Sequence, residues 1–320
     1  MDKSKKSVLI TGGAGFIGSH LADRLVNNNI NTIVYDNFST GNKKNLVNCL
    51  KRTNFELIVG DLNNSKKISS ILPRIKTVFH IAAYPEVRTG FENPEIAFNE
   101  NIKNTYLLLE QIRKSNVKKI VFASSSVVYG DAKKIPTSEE YGPLLPISPY
   151  GGSKLACEGL ISAYCHNYGI QGIILRFANV IGSRSKHGVI WDFINKLHQN
   201  KKKLEILGDG TQTKSYIHIS DCVDGFLKAA DSKNPVDVFN IGNNDRTSVT
   251  DIANIVIDKM NLKNVKIITK GGTFDGRGWP GDVKKMHLDI KKLKRTGWEP
   301  KLNSNSAIKK ASLELINETD

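Results

Sequence analysis

Two stretches of this 320-residue chain set a lysine four residues after a tyrosine: Tyr129–Lys133, in Tyr-Gly-Asp-Ala-Lys, and Tyr150–Lys154, in Tyr-Gly-Gly-Ser-Lys. A phenol beside an ammonium could take the proton of an alcohol while hydride leaves its carbon. A free tyrosine has a pKa of about 10 and is mostly neutral at pH 7, and bringing it to ~7 asks for about 4 kcal/mol. That much is available from a cation at close range in a partly desolvated site. With nine tyrosines and many lysines, one chance match is expected, so context decides. Tyr129 runs into Gly130-Asp131, a turn signal. Tyr150 follows Ser148-Pro149, a helix N-cap and a first-turn proline. Only there would phenol and ammonium share one helical face, although Gly151 and Gly152 weaken that helix start. Lys154 would supply the charge and hold the ribose of a nicotinamide cofactor. Upstream, the apolar run Ile120–Ala123 ends in Ser124-Ser125-Ser126. Hydroxyls at the carboxyl end of a parallel strand lie where such folds bind ligands. Ser125 is read as the donor to the substrate, with Ser124 or Ser126 in support.

A base of this kind needs a hydride acceptor, and the N-terminal region is suited to hold one. Val8-Leu9-Ile10-Thr11 leads into Gly12-Gly13-Ala14-Gly15-Phe16-Ile17-Gly18. These glycines satisfy both GxxGxxG and GxGxxG between a strand and a helix. A β-carbon there would block the turn and the approach of a pyrophosphate, while the helix N-terminus offers free N–H groups. The next strand ends at Asp36, about 20 residues on, where an acid accepts from the adenosine ribose and repels a 2′-phosphate. NAD is therefore expected rather than NADP. Asp61, in Gly60-Asp61-Leu62, could meet the adenine edge.

These residues need a frame. Strand-like runs at Ser7–Thr11, Asn31–Asp36, Phe55–Gly60, Lys76–Ile81, Lys118–Ala123 and Gly172–Arg176 alternate with helical patterns at Gly15–Asn28, Asn101–Lys114 and Ser153–Tyr168. Such alternation predicts an α/β fold, a Rossmann-type doubly wound parallel sheet with helices on both faces. Beyond Asn179 the pattern loosens into glycine turns, with helices at Asp192–Gln199 and Thr250–Met260. The expected division is a cofactor-binding domain over 1–178 and a smaller α/β substrate-binding domain over 179–320, with segments near 214–245 packing back on the first. Residues 316–320 read as a frayed end.

Composition narrows the class. Apolar residues make up 39% and charged residues 24%, an ordinary globular balance. No run reaches the ~20 apolar residues of a membrane span, and the start lacks a secretory pattern; a cytoplasmic enzyme is expected. The formal charge of +15 is spread along the chain in short lysine clusters, which points to solvated faces rather than nucleic acid. The four cysteines form no CxxC pair and have no histidines at zinc spacing, so no metal is expected. His80 and His218 read as structural for the same reason.

In order and combination, the motifs resemble the extended short-chain dehydrogenase/reductase family, and within it the nucleotide-sugar 4-epimerases. They are Thr11–His20, Asp36-Asn37, Asp61-Leu62, His80-Ile-Ala-Ala83, Asn101 in Asn-Ile-Lys-Asn-Thr, Ser124–Gly130, Tyr150–Lys154, Arg176-Phe-Ala-Asn179 and Tyr216–Asp221. The resemblance covers nearly the whole chain. It implies NAD bound by Gly12, Gly15, Phe16, Ile17, Gly18, Asp36, Asn37, Asp61, Leu62, Ala82, Asn101, Tyr150 and Lys154. It implies catalysis by Ser125, Tyr150 and Lys154, and a UDP-sugar held by Ser125, Ser126, Asn179, Lys214 and Arg277. Dehydratases and decarboxylases of the family carry an acid before Val-Tyr-Gly; this chain has Ser126 and Val127, which favours epimerisation through a transient 4-keto sugar. Another nucleotide-sugar oxidoreductase and a non-catalytic NAD sensor are the alternatives. Lysine stands at 214 where the family usually has arginine, so Arg277 is expected to add the second phosphate contact. Met286 falls near a position that helps set sugar size. Apolar positions outside the inward stripes (Leu107, Leu155, Tyr164) imply a homodimer through paired helices.

Overall fold

The computed structural model describes residues 7–86 and 89–319. The lysine-bearing start, residues 1–6, and Asp320 of the tail read as frayed lie outside the described residues. The first part of the chain runs β1 (Ser7–Thr11), α1 (Phe16–Asn27), β2 (Thr32–Asp36), β3 (Phe55–Val59), α2 (Ser65–Ile71), β4 (Ile75–His80), α3 (Thr89–Glu92), α4 (Pro94–Ala97), α5 (Asn104–Ile112), β5 (Lys119–Ser125), α6 (Pro149–Tyr168) and β6 (Gln171–Phe177). It continues with β7 (Asn179–Ile181), α7 (Val189–Gln199), β8 (Lys203–Leu207), β9 (Thr213–Lys214), β10 (Tyr216–His218), α8 (Ile219–Ala230), β11 (Val236–Ile241), β12 (Thr247–Ser248), α9 (Val249–Lys259), β13 (Lys266–Lys270), β14 (Lys285–Met286), α10 (Lys291–Lys294) and α11 (Ser304–Thr319).

Seven strands form one parallel sheet in the order β11-β6-β5-β4-β1-β2-β3. The order reverses between β1 and β4, the switch point where doubly wound sheets bind ligands beyond their carboxyl ends. Both faces are covered, which is why the strands read as unbroken apolar runs. Successive side chains alternate between two cores. Ile10 and Val121 pack with α1 and α8, while Leu9, Ile120 and Phe122 pack with α2, α5 and α6. A third core joins α7, α9 and α11 to the pair β8–β13 through Phe193, Leu204, Ile206, Ile252 and Ile308.

Several boundaries differ from the sequence reading for local reasons. The helix expected over Asn101–Lys114 opens with a π-helical turn, Phe98–Lys103, and becomes α-helical only at Asn104. Hydrophobic period cannot tell these apart over one turn, and π turns gather at functional sites. The tail read as frayed is helical to Thr319: Leu315 is buried, and Glu318 accepts from Arg184 N at 2.9 Å. Gly151 and Gly152 do not spoil the start of α6, because the Ser148 side chain caps it by accepting from Gly151 N at 3.1 Å. Among the described residues no helix is long and apolar enough to cross a membrane.

Candidate active site

The turn after β1 must be built of glycine. Gly12 sits at φ +69, and a β-carbon there would stand 2.6 Å from Ala82 N. One on Gly18 would stand 2.3 Å from Gly12 O. Both obstacles are backbone, so neither can move aside cheaply. Gly15 N-caps α1 with no side-chain hydrogen bond, leaving the first N–H groups of the helix unclaimed by any cap. Gly12, Gly15, Phe16, Ile17 and Gly18 floor one end of a cleft of about 1620 Å³, large enough for two ligands end to end.

Asp36 closes the far side of that end. Its carboxylate accepts from Ala14 N and Phe38 N, each at 2.8 Å. Burial pushes its pKa up while these two N–H groups pull it down. Asn37 donates to Asp61 Oδ2 at 2.7 Å, and both line the cleft with Leu62 and Ala82. Asn101 stands behind the wall. Its Oδ1 accepts from Tyr84 N at 2.8 Å and its Nδ2 donates to Ser153 Oγ at 2.8 Å, so it braces the loop after β4 against α6.

At the middle of the cleft the three catalytic candidates meet. β5 ends at Ser125, and α6 begins one residue before Tyr150. The three serines divide their work: Ser124 donates to the Glu158 carboxylate, Ser125 accepts from Val127 N at 3.4 Å and acts on the Tyr150 phenol to lower its pKa, and Ser126 lines the cleft. Glu158 is held in turn by Arg176, through a buried pair at 2.7 Å. Lys154 is 3% exposed and donates to Ala123 O at 2.8 Å; its Nζ lies 4.8 Å from the Phe122 ring centroid and 5.8 Å from that of Tyr150.

The expectation that Lys154 lowers the Tyr150 pKa is not met among the protein's own groups. Burial pushes the phenol up, Ser125 opposes it, and Cys157 and then Glu86 add to the rise. Burial also takes the Lys154 ammonium down to about 8. The ammonium is committed to a carbonyl and a ring face, and desolvation outweighs its pull on the phenol. The rival pair is ruled out by geometry. Tyr129 is buried and donates to Asn240 at 2.8 Å beneath the Arg176 guanidinium, while Lys133 is exposed. His80 bridges Thr11 at 2.7 Å and Thr105 at 3.0 Å, and burial drops its pKa to about 3. His218 contacts Ser220 at 2.8 Å and Glu314 at 3.0 Å. Both rings are used in holding elements together.

The other half of the cleft is lined by Asn179, Lys214, Met286, Trp191, Gln212 and Trp279. Lys214 pairs with Asp282, and Met286 sits beside it in the short β14–β9 ladder. Arg277 does not join them. Its guanidinium is tied to Asp131 at 2.8 Å, to Asp275, and to Asp282 O at 2.9 Å, and Arg277 is not among the residues that line the cleft. Two carboxylates and a carbonyl satisfy the fork before any phosphate could. Trp279, two residues on, lines the cleft instead. Glu86, Glu100, Asn104 and Arg184 also line it and were not singled out from the sequence. They lie in irregular segments or at a helix start, where spacing carries no signal.

A dinucleotide fits the first half. The glycine cradle leaves room only for backbone and ligand, an acid ends β2, and an unpartnered buried oxygen, Asn104 Oδ1, lies in the wall. Asn179 Nδ2, Gln212 Oε1 and Trp279 Nε1 are likewise buried without a partner in the second half. Such atoms cost free energy unless something completes them, and here they cluster on a single cleft.

Fold and site together define a dinucleotide-dependent enzyme with a serine, a tyrosine and a lysine at its centre. The chain belongs to the NAD-dependent epimerase/dehydratase family, whose model matches residues 8–242. It is similar to a UDP-galactose 4-epimerase of known structure, at 41% identity over 98% of this chain and 99% of that one, with a TM-score of 0.87. The UDP-glucose 4-epimerase of Thermotoga maritima, solved with UDP-glucose, is 31% identical over 98% and 100%, with a TM-score of 0.87. The UDP-glucuronic acid 4-epimerase of Bacillus cereus, solved with UDP-glucuronic acid and NAD, is 30% identical over 98% and 99%, with a TM-score of 0.88.

Proposed function

We propose that the protein interconverts the C4 epimers of a UDP-hexose, UDP-galactose and UDP-glucose, using NAD that stays bound. The observation that carries this reading is where Ser125, Tyr150 and Lys154 stand. They lie between the glycine cradle and the half of the cleft lined by Asn179, Lys214 and Met286. Bound NAD would supply the hydride acceptor and later the donor at the sugar C4. Ser125 would donate to the C4 oxygen and Tyr150 Oη would take its proton, then return it when the 4-keto sugar presents its other face. Lys154 would hold the nicotinamide ribose, and the positive nicotinamide would favour the phenolate that the protein's own groups do not. Asn179 and Lys214 would hold the diphosphate, with lysine acting as a point charge rather than a fork. Ser126 and Val127 put no acid at the two positions before Val-Tyr-Gly, and the one carboxylate against the serines, Glu158, is held by Arg176, so it would not serve as the extra acid for loss of water or of a carboxyl group.

The same reading includes a cofactor-binding part over 1–178 and a nucleotide-sugar-binding part over 179–320, working in the cytoplasm. It also includes a homodimer through α5 and α6, whose outward faces leave Tyr106 and Tyr168 exposed. The test is to incubate the purified protein with UDP-galactose, without added NAD, beside Tyr150→Phe. Conversion to UDP-glucose by the wild type, reduced roughly 100-fold or more in the variant, is expected. No conversion by protein shown to contain NAD would sink UDP-galactose as substrate.

A further inference from the structure

Residues 81–86 leave β4 and form part of the cleft wall, with Glu86 at their end. Three hydrogen bonds register this segment against the base. Tyr84 N donates to Asn101 Oδ1 at 2.8 Å, Asn101 Nδ2 donates to Ser153 Oγ at 2.8 Å, and Ser153 Oγ donates to the Tyr150 carbonyl at 2.8 Å. Glu86 therefore follows, by two residues, a backbone point pinned to the helical turn that carries Tyr150. Glu86 lines the same cleft as Ser125 and Tyr150, and its charge adds a smaller part to the burial that strengthens the phenol's hold on its proton. No described residue pairs with the Glu86 carboxylate.

A bare carboxylate beside a group that must give up a proton opposes the reaction unless the substrate brings donors to it. The hydroxyls of a neutral hexose do so. A carboxylate at C6 brings none and sets a second anion in the same enclosed pocket, where like charges are costly. Most of the described lysines on the wall are already engaged: Lys154 is committed to the Ala123 carbonyl, Lys196 is paired with Asp192 and Lys270 with Glu205, and Lys186 is exposed, where water screens it. Lys214 is paired with Asp282, and Arg184 is held through Nη2 by Asp23 of α1 at 2.7 Å, which leaves its Nη1 buried without a partner and able to meet a phosphate rather than the sugar beside Tyr150.

We infer that Glu86 makes the pocket beside Tyr150 selective for neutral, hydroxyl-rich sugars and closed to uronic acids, a step that rests on the cleft taking a nucleotide sugar. The experiment compares kcat/KM for UDP-galactose and UDP-glucuronic acid in NAD-loaded wild type, Glu86→Gln and Glu86→Asp. The wild type should favour the neutral sugar by about 100-fold, and Glu86→Gln should cut that ratio roughly tenfold by admitting the uronate. Glu86→Asp, which keeps the charge, should stay near the wild-type ratio. An unchanged ratio in Glu86→Gln, or a wild type that turns over both sugars equally, overturns the inference. Calorimetric binding of both sugars to Tyr150→Phe and to Tyr150→Phe with Glu86→Gln separates the two claims. If neither sugar is epimerised yet the uronate binds more tightly once the charge is gone, the charge filter stands and the epimerase reading falls. Equal uronate binding to both proteins sinks the filter whatever the reaction.

Discussion

The two ends of the cleft are built on different terms. At the cofactor end the contacts come from backbone: a turn that tolerates no β-carbon, the open N-terminus of α1, and the carboxyl edge of a seven-stranded sheet. At the other end they come from side chains set on two- and three-stranded ladders and on loops, held by ion pairs such as Lys214–Asp282 and Arg277–Asp131. The backbone end is rigid because the whole sheet determines it. Folds of this kind carry different sugars at that end, as the UDP-galactose and UDP-glucuronic acid 4-epimerases of similar structure illustrate.

This contrast can be broken at several points. Gly18→Ala should have the largest effect: its β-carbon meets Gly12 O at 2.3 Å, so the turn must shift. A loss of about 1–3 kcal/mol of stability is expected from such overpacking, together with loss of bound nucleotide, read by denaturation and by the absorbance of released NAD. Normal NAD content in a stable Gly18→Ala protein would show that the cradle is softer than its geometry. Lys154→Met should cut turnover while raising the stability of cofactor-stripped protein. Burial lowers the Lys154 pKa from 10.5 to about 8. The unfolded chain therefore binds more protons than the folded one between those values, so the penalty is full below pH 8 and fades as pH rises toward 10.5. Relief of about 3 kcal/mol at pH 7 is the upper expectation, and a melting temperature that does not rise would contradict it.

Smaller effects distinguish the two basic side chains of the substrate end. Lys214→Gln should raise KM for the UDP-sugar roughly tenfold, as expected for losing one charged hydrogen bond, with kcat little changed. Arg277→Gln should leave KM within about twofold and cost under ~1 kcal/mol, since its ion pairs are partly exposed. Equal effects on KM would return Arg277 to the phosphate site.

The cofactor end was legible because its requirements are local. Glycines at Gly12, Gly15 and Gly18, an acid at Asp36 and the Ser148-Pro149 helix start are short-range facts of backbone sterics and capping. Alternating apolar runs announced the parallel sheet for the same reason. That Tyr150, at the cleft wall, rather than Tyr129 opens a capped helix could also be read from the residues just before it. Tertiary structure alone decided the rest. Which of three serines meets Tyr150 depends on Glu158 claiming Ser124 across 34 positions. Arg277 is engaged by Asp131, 146 positions away. The direction of the Tyr150 pKa depends on how much protein surrounds the phenol. Chain spacing encodes what neighbours in sequence can do to one another; desolvation and ion pairing act between groups that only the completed fold brings together.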